Sequence, residues 1–176
     1  MERAGRAVYE AIKQRLGLKD KKVLIVCYHG NNGGDGFVVA RYLSDEAETD
    51  VLFIGDERKL SKESLTNFKK IEHNEKIQFL VDEEVDFNEY DMIVDAILGI
   101  GFKGRLNAEL SAIINDINNS KAFKISVDIP TGLDPDTGEI IDKIVNADLI
   151  ITFHDIKKGL EKHQDKTIVA DIGLPK

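Results

Sequence analysis

The sequence has few of the residues that build disulfide-rich, zinc-binding or membrane-spanning proteins. It contains one cysteine, Cys27, which excludes an internal disulfide framework and a cysteine-based zinc site. No apolar run approaches the ~20 residues that a membrane-spanning helix needs. The N-terminal stretch MERAGRAVYEAIKQRLG is charged and helical in pattern, unlike a secretory signal. These absences predict a folded protein of the cytoplasm that does not bind membranes.

Positive charge is also scarce. The 176 residues include 24 basic and 32 acidic side chains, which gives a net charge of −8. This balance argues against binding nucleic acid across the whole surface, and we expect no nucleic-acid partner. The length suits one globular domain, and the content of 42% hydrophobic and 32% charged residues is ordinary for such a domain.

Short apolar runs alternate with segments of helical spacing. Seven runs are predicted to be strands, at residues 21–28, 49–55, 76–81, 90–99, 122–130, 147–154 and 166–173. Helices are predicted at residues 1–17, 37–43, 61–74 and 107–120. The alternation predicts an α/β fold, a three-layer α/β/α Rossmann-like arrangement with a mostly parallel central sheet and helices on both faces. Beyond Pro130 the strands outnumber the helices, which predicts a more irregular sheet edge.

The segment GNNGGDG at residues 30–36 directly follows the first predicted strand. We interpret it as a glycine loop that opens a helix at the carboxyl end of a strand, where open α/β sheets bind ligands. The unpaired N–H groups of a helix start suit phosphate. The glycine spacing does not match the dinucleotide fingerprint G-x-G-x-x-G, and the P-loop lysine is absent. A tight turn without a ligand is the structural alternative.

Three aspartates are predicted to meet at one edge of the sheet. Asp95 and Asp128 each end an apolar strand and precede a glycine-bearing loop, and Asp35 lies in the first loop. The carboxyl ends of parallel strands lie at the same edge. A buried carboxylate is costly unless it is paired, hydrogen-bonded or bound to a cation, so a shared functional site is favoured. For each aspartate alone, capping of the following turn is the alternative.

Three segments together resemble a known family. GNNGGDGFVVARYL, VDAILGIGFKGR and SVDIPTGLDPDTGE are similar to the signature segments of the NAD(P)HX epimerases, the YjeF N-terminal domain family. MERAGRAV resembles the opening helix of that family and ADLIITFHDIKKGL its closing strands, so the resemblance covers nearly the whole chain. It implies an isomerase of metabolite repair that interconverts the R and S epimers of NADH or NADPH hydrated at C6 of the nicotinamide ring. A partner dehydratase would use the S epimer, and the resemblance allows a homodimer.

The resemblance also implies roles for individual residues. The substrate would be contacted by Asn31, Asn32, Gly33, Gly34, Asp35, Gly99, Ile100, Gly101, Phe102, Lys103, Gly104, Arg105 and Asp128. A potassium ion would be held by Asn32, Asp95 and Thr131, which offer the hard oxygen ligands that such a cation prefers. Asp128 is our candidate for the catalytic acid or base and for stabilising a transient positive charge. Lys157 is expected near the site.

The chain departs from the family pattern at both ends. Family members usually have a further helix before the segment that resembles MERAGRAV, and this sequence lacks that helix. It also lacks a dehydratase domain after the last predicted strand. We therefore expect a single domain over residues 1–176, with the dehydratase on a separate protein.

Three other functions and two chemical routes stay open. The fold could serve a noncatalytic nucleotide-binding, RNA-binding or scaffold module, an ordinary nicotinamide oxidoreductase, or a nucleotide-binding protein with an unrelated substrate. For the epimerase, loss and return of water through an iminium ion and opening and closure of the ring are both consistent with the sequence.

Overall fold

A seven-stranded parallel sheet forms the centre of the molecule. The computed structural model describes residues 1–80, 84–102 and 104–173. The strands are β1 (Lys22–Cys27), β2 (Glu48–Phe53), β3 (Ile77–Leu80), β4 (Met92–Ala96), β5 (Phe123–Val127), β6 (Leu149–Phe153) and β7 (Thr167–Ala170). Their spatial order is β3-β2-β1-β4-β5-β6-β7, and every described neighbouring pair is parallel. This confirms the predicted Rossmann-like sheet.

Helices cover both faces of the sheet, but unequally. Helices α1 (Glu2–Leu16), α2 (Asn31–Leu43) and α3 (Lys62–Ile71) bury one face in a shared apolar core. Helix α4 (Ala108–Asn119) packs on the other face through Leu110, Ile114 and Ile117. The three-layer prediction is therefore confirmed. Among the described residues, each helix is too short or too polar to cross a bilayer.

Local signals in the sequence set the helix ends. The hydroxyl of Ser61 accepts a hydrogen bond from the Ser64 N–H at 3.1 Å and caps α3. The side chain of Asn107 accepts one from the Leu110 N–H at 2.8 Å and caps α4. Such caps satisfy backbone donors that the first helical turn leaves unpaired. They explain why the predicted starts of both helices fall within a residue of the observed ones.

The predicted glycine loop is wrong, because residues 31–36 form the first turns of α2. A Cβ atom on Gly33 would lie 1.8 Å from the carbonyl oxygen of Tyr28. One on Gly36 would lie 2.6 Å from the Cβ of Ala96 and 2.7 Å from the Sγ of Cys27. None of the described positive-φ glycines falls in this segment. These glycines therefore serve the close approach of the helix to the sheet, not the freedom of a turn.

The irregularity expected beyond Pro130 lies in the connections. Residues 128–148 join β5 to β6 without a helix and contain one isolated antiparallel bridge between Leu133 and Ile140. A 3-10 segment over Lys158–Lys166 joins β6 to β7. The strands themselves stay in parallel register, with Ile150 opposite Thr167 and Phe153 opposite Ala170. The sheet edge is thus more regular than the sequence suggested.

Candidate active site

A pocket of about 470 Å³ opens at the carboxyl ends of β1, β4 and β5. The strand order reverses between β1 and β4, and ligands of open α/β folds bind in the crevice at such a point. The lining consists of Tyr28, His29, Gly30, Asn31, Asn32, Asp35, Ile97, Leu98, Gly99, Ile100, Gly101, Phe102 and Asp128. The volume is within the usual range of small-molecule sites. We call this cavity the α2 pocket.

The N-terminus of α2 forms one wall of this pocket. Gly30 is the N-cap in extended conformation, and Asn31 and Asn32 begin the helix. The Gly34 N–H donates to the Gly30 carbonyl at 3.2 Å, so helical bonding starts there. The N–H groups before it have no partner within the helix, and the helix dipole adds partial positive charge. This wall is suited to an anionic group such as a phosphate.

Asp128 lies immediately after β5 with a left-handed backbone (φ 65°). Its Oδ1 atom accepts hydrogen bonds from the Thr152 hydroxyl and the Phe153 N–H, each at 3.2 Å, and from the Lys157 ammonium group. Oδ2 receives no hydrogen bond from the described residues. Every described side-chain oxygen or nitrogen that is buried has a hydrogen-bond partner. Since Oδ2 has none, it is exposed, and Asp128 lines the pocket. One oxygen is therefore anchored while the other is available to a ligand.

Lys157 is held on Asp128, whereas the sequence predicts only that it lies near the site. Its Nζ also donates to the Thr152 hydroxyl at 2.8 Å and to the Phe153 carbonyl at 2.9 Å. An ammonium group has three donors, and these contacts use all of them. The side chain is 19% exposed, so the ion pair is largely shielded from solvent. Lys157 therefore orients Asp128 and balances its charge.

Asp35 lies on α2 and is a second carboxyl group of the α2 pocket. Burial raises its pKa to about 7; the Met1 amino group, 3.7 Å from Oδ1, lowers the pKa, and the negative charge of Asp128 raises it. The pocket thus contains two carboxyl groups in different surroundings. At neutral pH Asp35 is able to hold a proton beside an ion-paired Asp128.

Asp95 lies in β4 beneath the pocket and is fully buried. Oδ1 accepts hydrogen bonds from the Thr131 hydroxyl at 2.6 Å and the Ile97 N–H at 3.3 Å, and Oδ2 accepts from the Ser126 hydroxyl at 2.8 Å and the Thr131 N–H at 2.9 Å. Burial raises the pKa of Asp95, and these hydrogen bonds lower it. None of these donors carries a formal positive charge.

The three residues expected to hold potassium are linked through Leu98. The Asn32 amide donates to the Leu98 carbonyl at 3.1 Å, and the Leu98 N–H donates to the Thr131 hydroxyl at 3.0 Å. Thr131 in turn donates to Asp95. Amide, hydroxyl and carboxylate oxygens suit a hard cation, and a fully buried carboxylate without a described cationic partner fits one electrostatically. The residues present therefore fit such an ion.

Some predicted substrate contacts lie away from the α2 pocket. Gly33 and Gly34 are buried, and a Cβ on Gly34 would lie 2.5 Å from the Met1 Cε and the Ser64 Oγ. Gly104 and Arg105 are exposed and do not line the pocket. Lys103 lies outside the described residues. Gly33 and Gly34 therefore pack the helix, while Asn31, Asn32 and Asp35 of the same turns line the pocket.

A second pocket, of about 380 Å³, was missed by the sequence analysis. It shares Ile100 and Asp128 with the α2 pocket and is otherwise lined by Phe153, His154, Asp155, Ile156, Lys157 and Ile172. We call it the β6 pocket, because most of its lining follows β6. The strand-end rule that located Asp128 also applies to β6 and would have selected these residues.

The chain matches the family model described as the YjeF-related protein N-terminus over residues 1–159. It is 36% identical to a protein of Nitrosopumilus maritimus named NAD(P)H-hydrate epimerase, over 99% of this chain and 85% of that protein. It is 38% identical to a protein of the same name from Oenococcus oeni, with the same coverage. A bifunctional NAD(P)H-hydrate repair enzyme of Archaeoglobus fulgidus is 40% identical, but the chain spans only 37% of that protein.

A solved structure agrees with the fold. The crystal structure of the yeast protein YNL200c superposes with a TM-score of 0.80 at 27% identity. The match covers 96% of this chain and 75% of the yeast chain.

Proposed function

The chain belongs to the YjeF-related protein N-terminus family, and on this basis we propose that it is an isomerase that epimerises hydrated NADH and NADPH. Two relatives named NAD(P)H-hydrate epimerase match over 99% of the chain and 85% of their own length. The alternative of a noncatalytic module is disfavoured because the carboxyl groups of Asp35 and Asp128 both line the α2 pocket. An oxidoreductase is disfavoured because the glycines of α2 pack against the sheet in a spacing that is not the dinucleotide fingerprint.

The observation that carries the mechanism is the half-anchored carboxylate of Asp128. Three donors hold Oδ1, and Oδ2 is left accessible in the pocket. A carboxylate fixed in this way is preorganised to stabilise positive charge and to exchange a proton without reorienting. We assign Asp128 as the catalytic residue.

The substrate chemistry requires one proton donor and one charge-stabilising acceptor. C6 of the hydrated ring is bonded to the ring nitrogen and to a hydroxyl group. A proton given to that hydroxyl lets the nitrogen lone pair expel water and leaves a planar iminium ion. Water then adds to the other face of C6 and returns its proton, so atoms and charge balance. We propose that Asp35 gives the proton to the leaving hydroxyl, and that Asp128 stabilises the iminium and receives the proton of the incoming water. That proton then passes from Asp128 back to Asp35 through solvent water in the pocket that both carboxyl groups line, which restores the enzyme for the next turnover. This pairing follows a general pattern of two carboxyl groups in unlike environments.

The diphosphate of the substrate is assigned to the N-terminus of α2 and the facing turn at Gly99–Phe102. The described lining of the α2 pocket contains no lysine or arginine, so backbone N–H groups supply most of the attraction there. A proton on Asp35 removes one negative charge from this wall. Lys103 and Arg105 follow in the same loop and are proposed to meet phosphate or ribose.

We further propose that potassium binds at Asn32, Asp95 and Thr131. When bound, the ion would supply the positive charge that balances Asp95. These residues support both the Leu98 turn and the start of α2. Their own part is to position the pocket walls, because Asp95 is fully buried.

The reaction class implies a partner enzyme. An epimerase that supplies one epimer requires a dehydratase that consumes it, and we propose that the S epimer goes to such a dehydratase. The name of the bifunctional repair enzyme of Archaeoglobus fulgidus accords with this linkage. A cytoplasmic location and a homodimer stay predictions.

The test is chromatography of the epimer ratio. Pure R-NADHX is mixed with the protein in potassium buffer near neutral pH, and spontaneous epimerisation is subtracted. We expect a protein-dependent approach to the equilibrium ratio. If the protein binds NADHX in calorimetry but leaves the rate unchanged, the chain is a binding module and the proposal is wrong.

A further inference from the structure

We propose that the β6 pocket binds the hydrated nicotinamide ring of the substrate, while the α2 pocket binds its diphosphate. This inference rests on the proposed function and assigns the two halves of the site. The two pockets share Ile100 and Asp128. A ligand that reaches from one pocket into the other therefore passes the catalytic carboxylate. In this arrangement C6 of the ring lies at the boundary between the pockets, and its hydroxyl faces Asp35 on the α2 side.

The β6 pocket has the surface that a flat organic ring requires. Phe153, Ile156 and Ile172 contribute apolar walls, and Ile100 closes the side shared with the α2 pocket. Ile100 is 53% exposed and Ile156 is 39% exposed, although both are large apolar residues beside a buried carboxylate. A ring seated between them would remove this apolar surface from water, which favours binding.

The same pocket is unsuited to phosphate. It shares the carboxylate of Asp128 with the α2 pocket, and the carboxylate of Asp155 adds a second negative charge that repels an anion. All three donors of Lys157 are taken by Asp128, Thr152 and the Phe153 carbonyl. The start of α2, with its unpaired N–H groups, lies in the other pocket. The distribution of charge therefore favours the ring in the β6 pocket and the diphosphate in the α2 pocket.

The backbone holds the β6 pocket in a fixed shape. Asp128 and His154 follow adjacent strands, and both have left-handed backbones, with φ of 65° and 67°. Non-glycine residues are strained in this region of backbone conformation, and such residues cluster at functional sites. The Asp155 N–H donates to the Phe153 carbonyl at 2.7 Å, which turns the chain directly after β6. That turn brings Ile156 and Lys157 back towards Asp128.

The test measures binding of the nicotinamide ring and of the rest of the ligand with two different compounds. Calorimetry in potassium buffer compares reduced nicotinamide mononucleotide, which carries the ring, with ADP-ribose, which lacks it. Ile156→Glu should weaken binding of the mononucleotide by about tenfold or more, because the glutamate adds bulk and charge to the apolar wall. Binding of ADP-ribose should change by less than about twofold. Ile140→Glu is the control: it adds the same charge at a 56% exposed residue that lines neither pocket, and it should bind both ligands like the wild type.

The outcomes distinguish this inference from the proposed function. An equal loss for ADP-ribose would assign the β6 pocket to the adenosine half and overturn the inference. It would also be overturned by unchanged binding of the mononucleotide in Ile156→Glu, or by no binding to the wild type. Ring-selective loss in a protein that does not epimerise R-NADHX would support the ring site while refuting the proposed function.

Discussion

At the scale of single residues, the site depends on how differently its carboxyl groups are held. Asp128 has one anchored and one accessible oxygen, Asp35 is partly buried with little hydrogen bonding, and Asp95 is fully buried with four donors. The sequence predicted Asp95 and Asp128 at strand ends and Asp35 in the first glycine loop, but it does not reveal their partners. Lys157 reaches Asp128 from 29 positions away through the turn after β6, so the pair depends on tertiary structure.

Removing Lys157 should impair Asp128 without emptying the pocket. In Lys157→Met the carboxylate loses its charge partner and the donor that orients it, so kcat should fall by roughly tenfold or more while KM changes little. Epimer assays at a series of substrate concentrations near neutral pH measure both constants. Lys157→Arg should recover part of the rate, and Lys162→Met, at an exposed lysine, should match wild type. A rise in KM with kcat unchanged in Lys157→Met would contradict the positioning role.

Asp35 should make stability depend on pH. Its folded-state pKa of about 7 exceeds the ordinary value of 3.8, so the folded protein holds a proton that the unfolded chain has lost between these values. The free energy of unfolding should therefore fall as pH rises from about 4 to about 7, by at most about 4 kcal/mol, since each unit of pKa difference is worth about 1.4 kcal/mol. Asp35→Asn should remove this slope and be the more stable protein at pH 7. Urea titrations across that window measure it, and parallel slopes in both proteins would refute the assignment.

At the scale of elements, the sequence predicted the sheet well and one helix start poorly. Apolar runs of strand length located all seven strands, and the capping side chains of Ser61 and Asn107 located two helix starts. The start of α2 was misread because glycine is a weak helix former, so four glycines in seven residues suggested a loop. Close packing on β1 and β4 outweighs that preference. The β6 pocket was missed because the residues after β6 form no recognisable motif, although the strand-end rule applies to them as well.

The close packing of α2 on the sheet predicts that an added methyl group destabilises the fold at Gly36 but not at Gly101, which lies outside the helix. Gly36→Ala places a Cβ 2.6 Å from the Ala96 Cβ and 2.7 Å from the Cys27 Sγ, both in buried strands. We expect it to lower the free energy of unfolding by about 1–3 kcal/mol, since the helix must move off the sheet. A Cβ on Gly101 meets nothing within 4 Å, so Gly101→Ala is the matched control. Chemical denaturation compares them, and equal stabilities would show that α2 does not need its glycines for packing.

At the scale of the whole molecule, the proposed function requires an acidic chain with net charge −8 to bind an anionic dinucleotide. Local features must therefore overcome the overall field: the N-terminus of α2, a proton on Asp35 and the proposed cation near Asp95. The overall charge could be read from the sequence. Its local compensation could not, because the pKa of Asp35 and the contacts of Asp95 arise from burial.

A cation site at Asp95 should affect stability as well as rate. At equal ionic strength, wild-type protein should unfold at higher temperature in potassium chloride than in tetramethylammonium chloride, because an ion that binds only the folded state stabilises it. Asp95→Asn should reduce or abolish that difference, although the variant is itself less stable. Differential scanning calorimetry measures both salts. The same unfolding temperature for wild type in the two salts would contradict the proposed site.

The most direct test of the account is the rate at which R-NADHX epimerises with Asp128→Asn. Asparagine tolerates the left-handed backbone that Asp128 adopts, so the fold should survive the change. We predict that the variant loses about 100-fold or more of the wild-type rate while still unfolding in one cooperative transition, at a lower temperature because the shielded Lys157 loses its charge partner. Asp116→Asn, a control at an exposed position of α4, should keep the full rate. Near-normal turnover by Asp128→Asn would contradict the central claim that this carboxylate performs the chemistry.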